Sequence, residues 1–176
     1  NLEVSVPNFL LGVKQGPTNY LLEDIIKKEL CFSILLDLTI GKSTNNYKEL
    51  LSNELINDSF GLDITLEETY GFFIIGSETY KPKELEIKLK SILLNLEKDK
   101  FLEEDFLRTK KQIVGGFIHA LNSIEYIANQ FTKYYYLGAS LFDILDIADK
   151  ITLADIEENK KAFKNELSYS TFTVYP

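Results

Sequence analysis

The chain holds 176 residues (20.2 kDa), 45% hydrophobic and 26% charged, the size of one domain with a core of its own. Folding at this length removes about 70% of the unfolded chain's surface from water, so no disulfide or metal staple is required. Nineteen basic against 27 acidic residues give a net charge of −8, which argues against nucleic acid as a partner, because phosphate binding needs a dense cationic surface.

Cys31 is the single cysteine and forms no intramolecular disulfide, so the fold is independent of an oxidising compartment. The longest apolar stretch, Leu30 to Ile40, is broken by Ser33, Asp37 and Thr39 and is far too short to span a bilayer, so no membrane partner is expected. No cationic segment followed by an apolar one opens the chain, and a cytoplasmic location is the expectation. The chain starts at Asn1 and contains no methionine, which points to a piece of a longer protein. Eighteen of its 19 basic residues are lysine, the exception being Arg108.

In chain order, Phe9, Leu11 and Val13 alternate with Leu10 and Gly12 as a strand, closed by Gly16-Pro17. A helix is predicted from about Asn19 to Ile40, with Glu23 and Asp24 in its first turn; its second half is apolar nearly all round, as a buried central helix is. A shorter helix is predicted over Asn46 to Ile56. A strand pair follows: Leu62, Ile64 and Leu66 share one face, and Tyr70 to Ile75 is apolar on both faces, as an interior strand is.

The second half reads as helix. Leu85, Leu89, Ile92, Leu93 and Leu96 form one stripe, with Pro82 in its first turn. Leu102, Phe106, Ile113 and Phe117 form another, behind the acidic run Glu103-Glu104-Asp105. Asn122 with Glu125 resembles a capping box for a third stripe, Ile124, Ile127, Ala128, Phe131 and Tyr135, which Gly138 stops. Ser140 and Thr152 are N-cap candidates, and Thr171 to Tyr175 reads as a closing strand. The expected fold is a single α+β domain over residues 1–176, a largely antiparallel sheet with helices packed on one face.

Residues that could carry chemistry are few. His119 is the only histidine, where a catalytic zinc normally takes three protein ligands, and neither H-E-x-x-H nor H-x-x-E-H is present. It reads as a polar residue near a helix end. Cys31 sits among Leu30, Phe32 and Ile34, where a thiolate is desolvated. Gly115-Gly116 lies mid-helix without the rest of a phosphate loop, which favours close helix packing, with a hinge as the alternative. Of Tyr134, Tyr135 and Tyr136, one is expected in the core and the others toward solvent or a partner. The carboxylate pairs Glu67-Glu68 and Glu157-Glu158 read as solvated surface.

Three stretches carry a resemblance: FLEEDFLRTKKQIVGGF from Phe101, LNSIEYIANQF from Leu121, and Leu141-Phe142-Asp143 with ITLADI from Ile151. Together with Leu50 to Phe60, the strand pair and an opening strand within Val4 to Lys14, they resemble the C-terminal, non-catalytic half of the pitrilysin/insulinase family of zinc metallopeptidases, in the manner of the bacterial processing peptidases. The resemblance implies two similar α+β halves around a closed peptide chamber. Zinc and the catalytic glutamate belong to the other half, so catalytic, cofactor-binding and metal residues in this chain are expected to be none.

The second half of such enzymes often supplies an Arg and a Tyr, seven residues apart, that stabilise the tetrahedral intermediate. Here those positions fall near Ile56 and Leu62. The implied partners are the catalytic half or a related subunit, a peptide substrate, and a paralogue in a dimer that brings the Arg-Tyr pair; Asn57 or a backbone N–H is the alternative donor. A scaffold domain that has lost peptidase activity is the rival reading, and an autonomous hydrolase using paired carboxylates ranks last.

Overall fold

The computed structural model describes residues 4–16, 22–67, 69–136 and 140–176. Strand β1 (Asn8–Gln15) buries Phe9, Leu11 and Val13 on one face, as its alternation dictates. It is followed by helices α1 (Leu22–Ile40) and α2 (Asn45–Ser52), then strands β2 (Gly61–Leu66) and β3 (Gly71–Glu78). The remaining helices are α3 (Pro82–Leu94), α4 (Glu103–Ala120), α5 (Ile124–Tyr136), α6 (Asp143–Lys150) and α7 (Leu153–Asn159), and strand β4 (Tyr169–Val174) closes the chain.

The four strands form one antiparallel sheet in the order β2-β3-β1-β4. The apolar-on-both-faces segment is therefore interior, as expected, and β1 joins both ends of the chain. Helices cover the face that carries Phe9, Leu11, Phe73 and Ile75, while Leu10 and Phe172 on the other face are exposed. The fold is α+β. Its centre is an aromatic trio, Phe32 of α1, Phe73 of β3 and Phe163, with ring centroids 4.6, 5.1 and 6.1 Å apart.

Several expected details are corrected. Helix α2 stops at Ser52, four residues before Ile56. Leu55 N–H donates to Leu50 O (2.9 Å) and Glu54 N–H to Leu51 O (3.0 Å), with Glu54 at φ 57°. This is a Schellman ending built on glutamate in place of glycine, which hid it from the sequence pattern. Beyond Ile75, β3 runs on to Glu78, because Gly76, Ser77 and Glu78 pair with Leu10, Phe9 and Asn8. Tyr70 lies before the strand and is exposed, its ring stacked near Phe72.

In α4 the exposed Leu102 is the N-cap and leaves the stripe, and buried Thr109 fills the gap between Phe106 and Ile113. Ser123, not Asn122, opens α5: its Oγ accepts from Tyr126 N–H (3.2 Å), whereas Asn122 Nδ2 donates back to His119 O (3.0 Å). Of the α5 stripe only Ile127 packs inward, against the cluster of Ile26, Tyr134, Leu141 and Ile144, and the rest turns outward. Ile124 is 84% and Tyr135 69% exposed, with Ala128 and Phe131 beside them, and the buried side holds Tyr134. Thr152 caps α7 in a box with Asp155, while Ser140 makes a turn two residues ahead of the Phe142 cap of α6. The helix start at Asn19 and the stop at Gly138 lie outside the described residues.

Candidate binding cleft

The geometry of β2 follows from its hairpin. Glu67 N–H donates to Tyr70 O (2.8 Å), so this pair exchanges ladder bonds. Counting back by twos, Thr65, Asp63 and Gly61 bond to β3, and Leu66, Ile64 and Leu62 turn their N–H and C=O outward. β2 is an edge strand, so nothing in the sheet meets them. At the Leu66 end the Glu29 carboxylate of α1 accepts from the backbone. Glu29 is also ion-paired to Lys133 Nζ of α5 (2.8 Å), and its side chain is only 14% exposed. Burial raises its carboxyl above the usual range, and Lys133 pulls it back in part.

From Ile64 to Leu62 the edge borders an open cleft of about 480 Å³ between α1, α4 and α5. Glu29, Ser33 and Asp37 recur every fourth residue and so form one polar stripe along α1 toward it. Ser33 Oγ donates to Glu29 O (2.9 Å). Ile113 and Phe117 of α4 make an apolar wall, and the hydroxyls of Tyr126 and Tyr134 are pushed to higher pKa by burial. Asp37 is half-buried, which raises its carboxyl, with Arg108 acting weakly in the opposite sense. Among the described residues Asp37 has no ion-pair partner, since Arg108 pairs with Asp105 (2.7 Å).

The sequence offered this stripe only as interruptions of a greasy run. Their four-residue spacing was the available signal, and the edge strand that faces them is far away in the chain.

The other candidates scatter. His119 is exposed in the last turn of α4. Cys31 is buried, and desolvation lifts its thiol to about 11. A side chain at Gly115 or Gly116 would meet nothing within 4 Å among the described residues, so these glycines serve no close helix packing there. Of the three tyrosines, Tyr134 is buried and Tyr135 and Tyr136 are exposed, as expected. Glu157 and Glu158 pair with Lys160 and Lys161. No three His, Cys, Asp or Glu side chains among the described residues are grouped to hold a metal, so these residues do not fit a zinc centre. Among the described residues the cleft holds no paired nucleophile and base either.

No protein-family model matches the sequence. The zinc protease YmfH of Bacillus subtilis is 36% identical over 173 residues, 98% of this chain and 40% of that protein. An M16-like peptidase from Alicyclobacillus acidocaldarius shares the fold with a TM-score of 0.83 at 23% identity, over 98% of this chain and 41% of that one. The chain is a pitrilysin-family (M16) peptidase-like domain. The inactive peptidase domain of a zinc protease from Bordetella parapertussis also has this fold (TM-score 0.73, 13% identity, covering 99% of this chain and 93% of that one).

In the M16-like domain, Ile56 is buried beneath the turn that enters β2, and Leu62 sits on the free edge. Asn57 Oδ1 accepts from the N–H (2.8 Å) and hydroxyl (2.6 Å) of Ser59, and so shapes that turn. No described helix of the domain is long and apolar enough to cross a membrane.

Proposed function

We propose that this domain is the non-catalytic, C-terminal half of a zinc-dependent peptidase, enclosing the peptide chamber and docking on a catalytic half outside this chain. The observation that carries the reading is the match to YmfH: nearly the whole chain aligns, at 36% identity, with 40% of a zinc protease. The exposed stripe of α5 supports docking, since contiguous apolar surface of this kind marks contact with another protein surface. Zinc belongs to the other half in this reading. A related subunit brings the Arg-Tyr pair that Ile56 and Leu62 replace, and the protein works in the cytoplasm, which its single buried thiol permits.

The test is elemental analysis with a peptidase assay on the full-length protein and on residues 1–176. One zinc and peptide cleavage are expected for the former, and neither for the latter. A tightly held zinc on residues 1–176 overturns the assignment. Activity of the full-length protein should rise when its paralogue is added; full activity without it removes the partner from the proposal.

A further inference from the structure

We propose that the cleft beside β2 takes an extended peptide as an added strand, with a basic side chain of that peptide set against Asp37. The proposal rests on the reading that the domain serves a peptidase, and it names the edge and the chemistry of the occupant. The sheet has two edges, and only β2 combines outward backbone groups at Leu62 and Ile64 with a cleft lined by a polar helix stripe. A strand laid along them gains main-chain hydrogen bonds, and its alternate side chains turn toward α1 and α4.

Register decides which carboxylate is reached. Leu66 meets Glu29, and four strand residues span about 13 Å, close to the roughly 12 Å that eight helical residues rise. Asp37 therefore lies toward the Leu62 end, where the edge is open, while Glu29 is already held by Lys133 and the Leu66 N–H. The cleft lining carries Glu29, Asp37 and Asp63 against the single cation Lys133, so charge favours a cationic occupant. Ile113 and Phe117 offer an apolar wall for the methylene stem of a lysine or arginine. Half-buried and without an ion-pair partner, Asp37 is the group a cation would stabilise.

The probes are fluorescein-labelled, terminally blocked decapeptides that differ only at one central residue: lysine, norleucine or glutamate. Full-length protein, treated with a chelator so that peptide is not consumed, is titrated into each and followed by anisotropy. The lysine peptide should bind about tenfold tighter than the norleucine peptide, the difference a charge-assisted hydrogen bond makes, with glutamate weakest.

Asp37→Asn, close to isosteric, should erase the lysine preference and leave the norleucine affinity unchanged. Leu62→Pro removes an outward donor without losing a ladder bond, and should weaken all three peptides together. Circular dichroism checks both variants, and if Leu62→Pro is unfolded, Asp37→Asn decides. Equal affinity for the three peptides, or a preference that survives Asp37→Asn, overturns the proposal. Cleavage by the zinc-loaded protein is scored in parallel. Cleavage without these preferences discards the cleft and keeps the peptidase reading, whereas neither binding nor cleavage discards both.

Discussion

At the residue scale the most exacting position is Lys160. Its side chain is 2% exposed, and its ammonium donates to Asp99 O (2.6 Å) and Glu157 Oε2 (2.6 Å) while lying 4.2 Å from the centre of the Phe101 ring. Lys160→Met keeps the stem but orphans the Asp99 carbonyl, and should cost about 2–3 kcal/mol in urea unfolding. Lys161→Met, one residue on and exposed, should stay within about 0.5 kcal/mol; equal losses would refute the burial argument. Asp155 sets an acid limit. Burial opposes its ionisation, but hydrogen bonds from Lys27 and Thr152 outweigh it and hold the carboxyl at about 2. The folded pKa lies below the unfolded value of about 3.9, so the stability it contributes is complete above roughly pH 4 and is lost as pH falls through about 2. Asp155→Asn should therefore flatten the stability profile in that window, read from urea midpoints at stepped pH. An unchanged slope would remove Asp155 from the acid response.

At the scale of the element, α4 carries two glycines that its own fold does not require. Gly115 faces open space, and Gly115→Ala should raise the stability of the domain by about 0.5–1 kcal/mol in chemical denaturation. A loss would show that the helix uses the missing side chain. Elements like these mark how far the sequence could be read. The strands were legible because Phe9, Leu11 and Val13, or Phe73 and Ile75, meet one core at period two. The α4 stripe needed Thr109, whose burial no hydropathy pattern announces. In α5 the 3.6 period was real, but of its stripe only Ile127 turns inward. Lys133 is drawn inward by Glu29, and Tyr134 follows it into a second cluster with Ile26, Leu141 and Ile144. The rest of the apolar face was left outside. The cleft was hidden for a related reason: its polar stripe on α1 gains meaning only when β2, about thirty residues later, is laid beside it.

At the scale of the whole molecule, one core joins α1, the sheet and the C-terminal segment through Phe32, Phe73 and Phe163. Tyr169 fastens that segment by donating its hydroxyl to Phe163 O (2.7 Å) at the start of β4. Removing residues 169–176 should leave β1 with an open edge and its buried face partly uncovered. Light scattering is expected to show association of that truncated domain where the whole domain stays dispersed. A monodisperse truncated domain would show that β4 is dispensable. The pairing of β1 with β4 also has a consequence in time. Asn8 meets Val174, so the first strand of this domain to be synthesised waits for the domain's last one before its sheet is complete. Folding of such a chain is governed by contacts between its distant ends, which are slow to form. During synthesis the nascent domain thus carries an unsatisfied strand until translation has passed β4, a window in which a chaperone rather than the chain's own sheet must guard that edge.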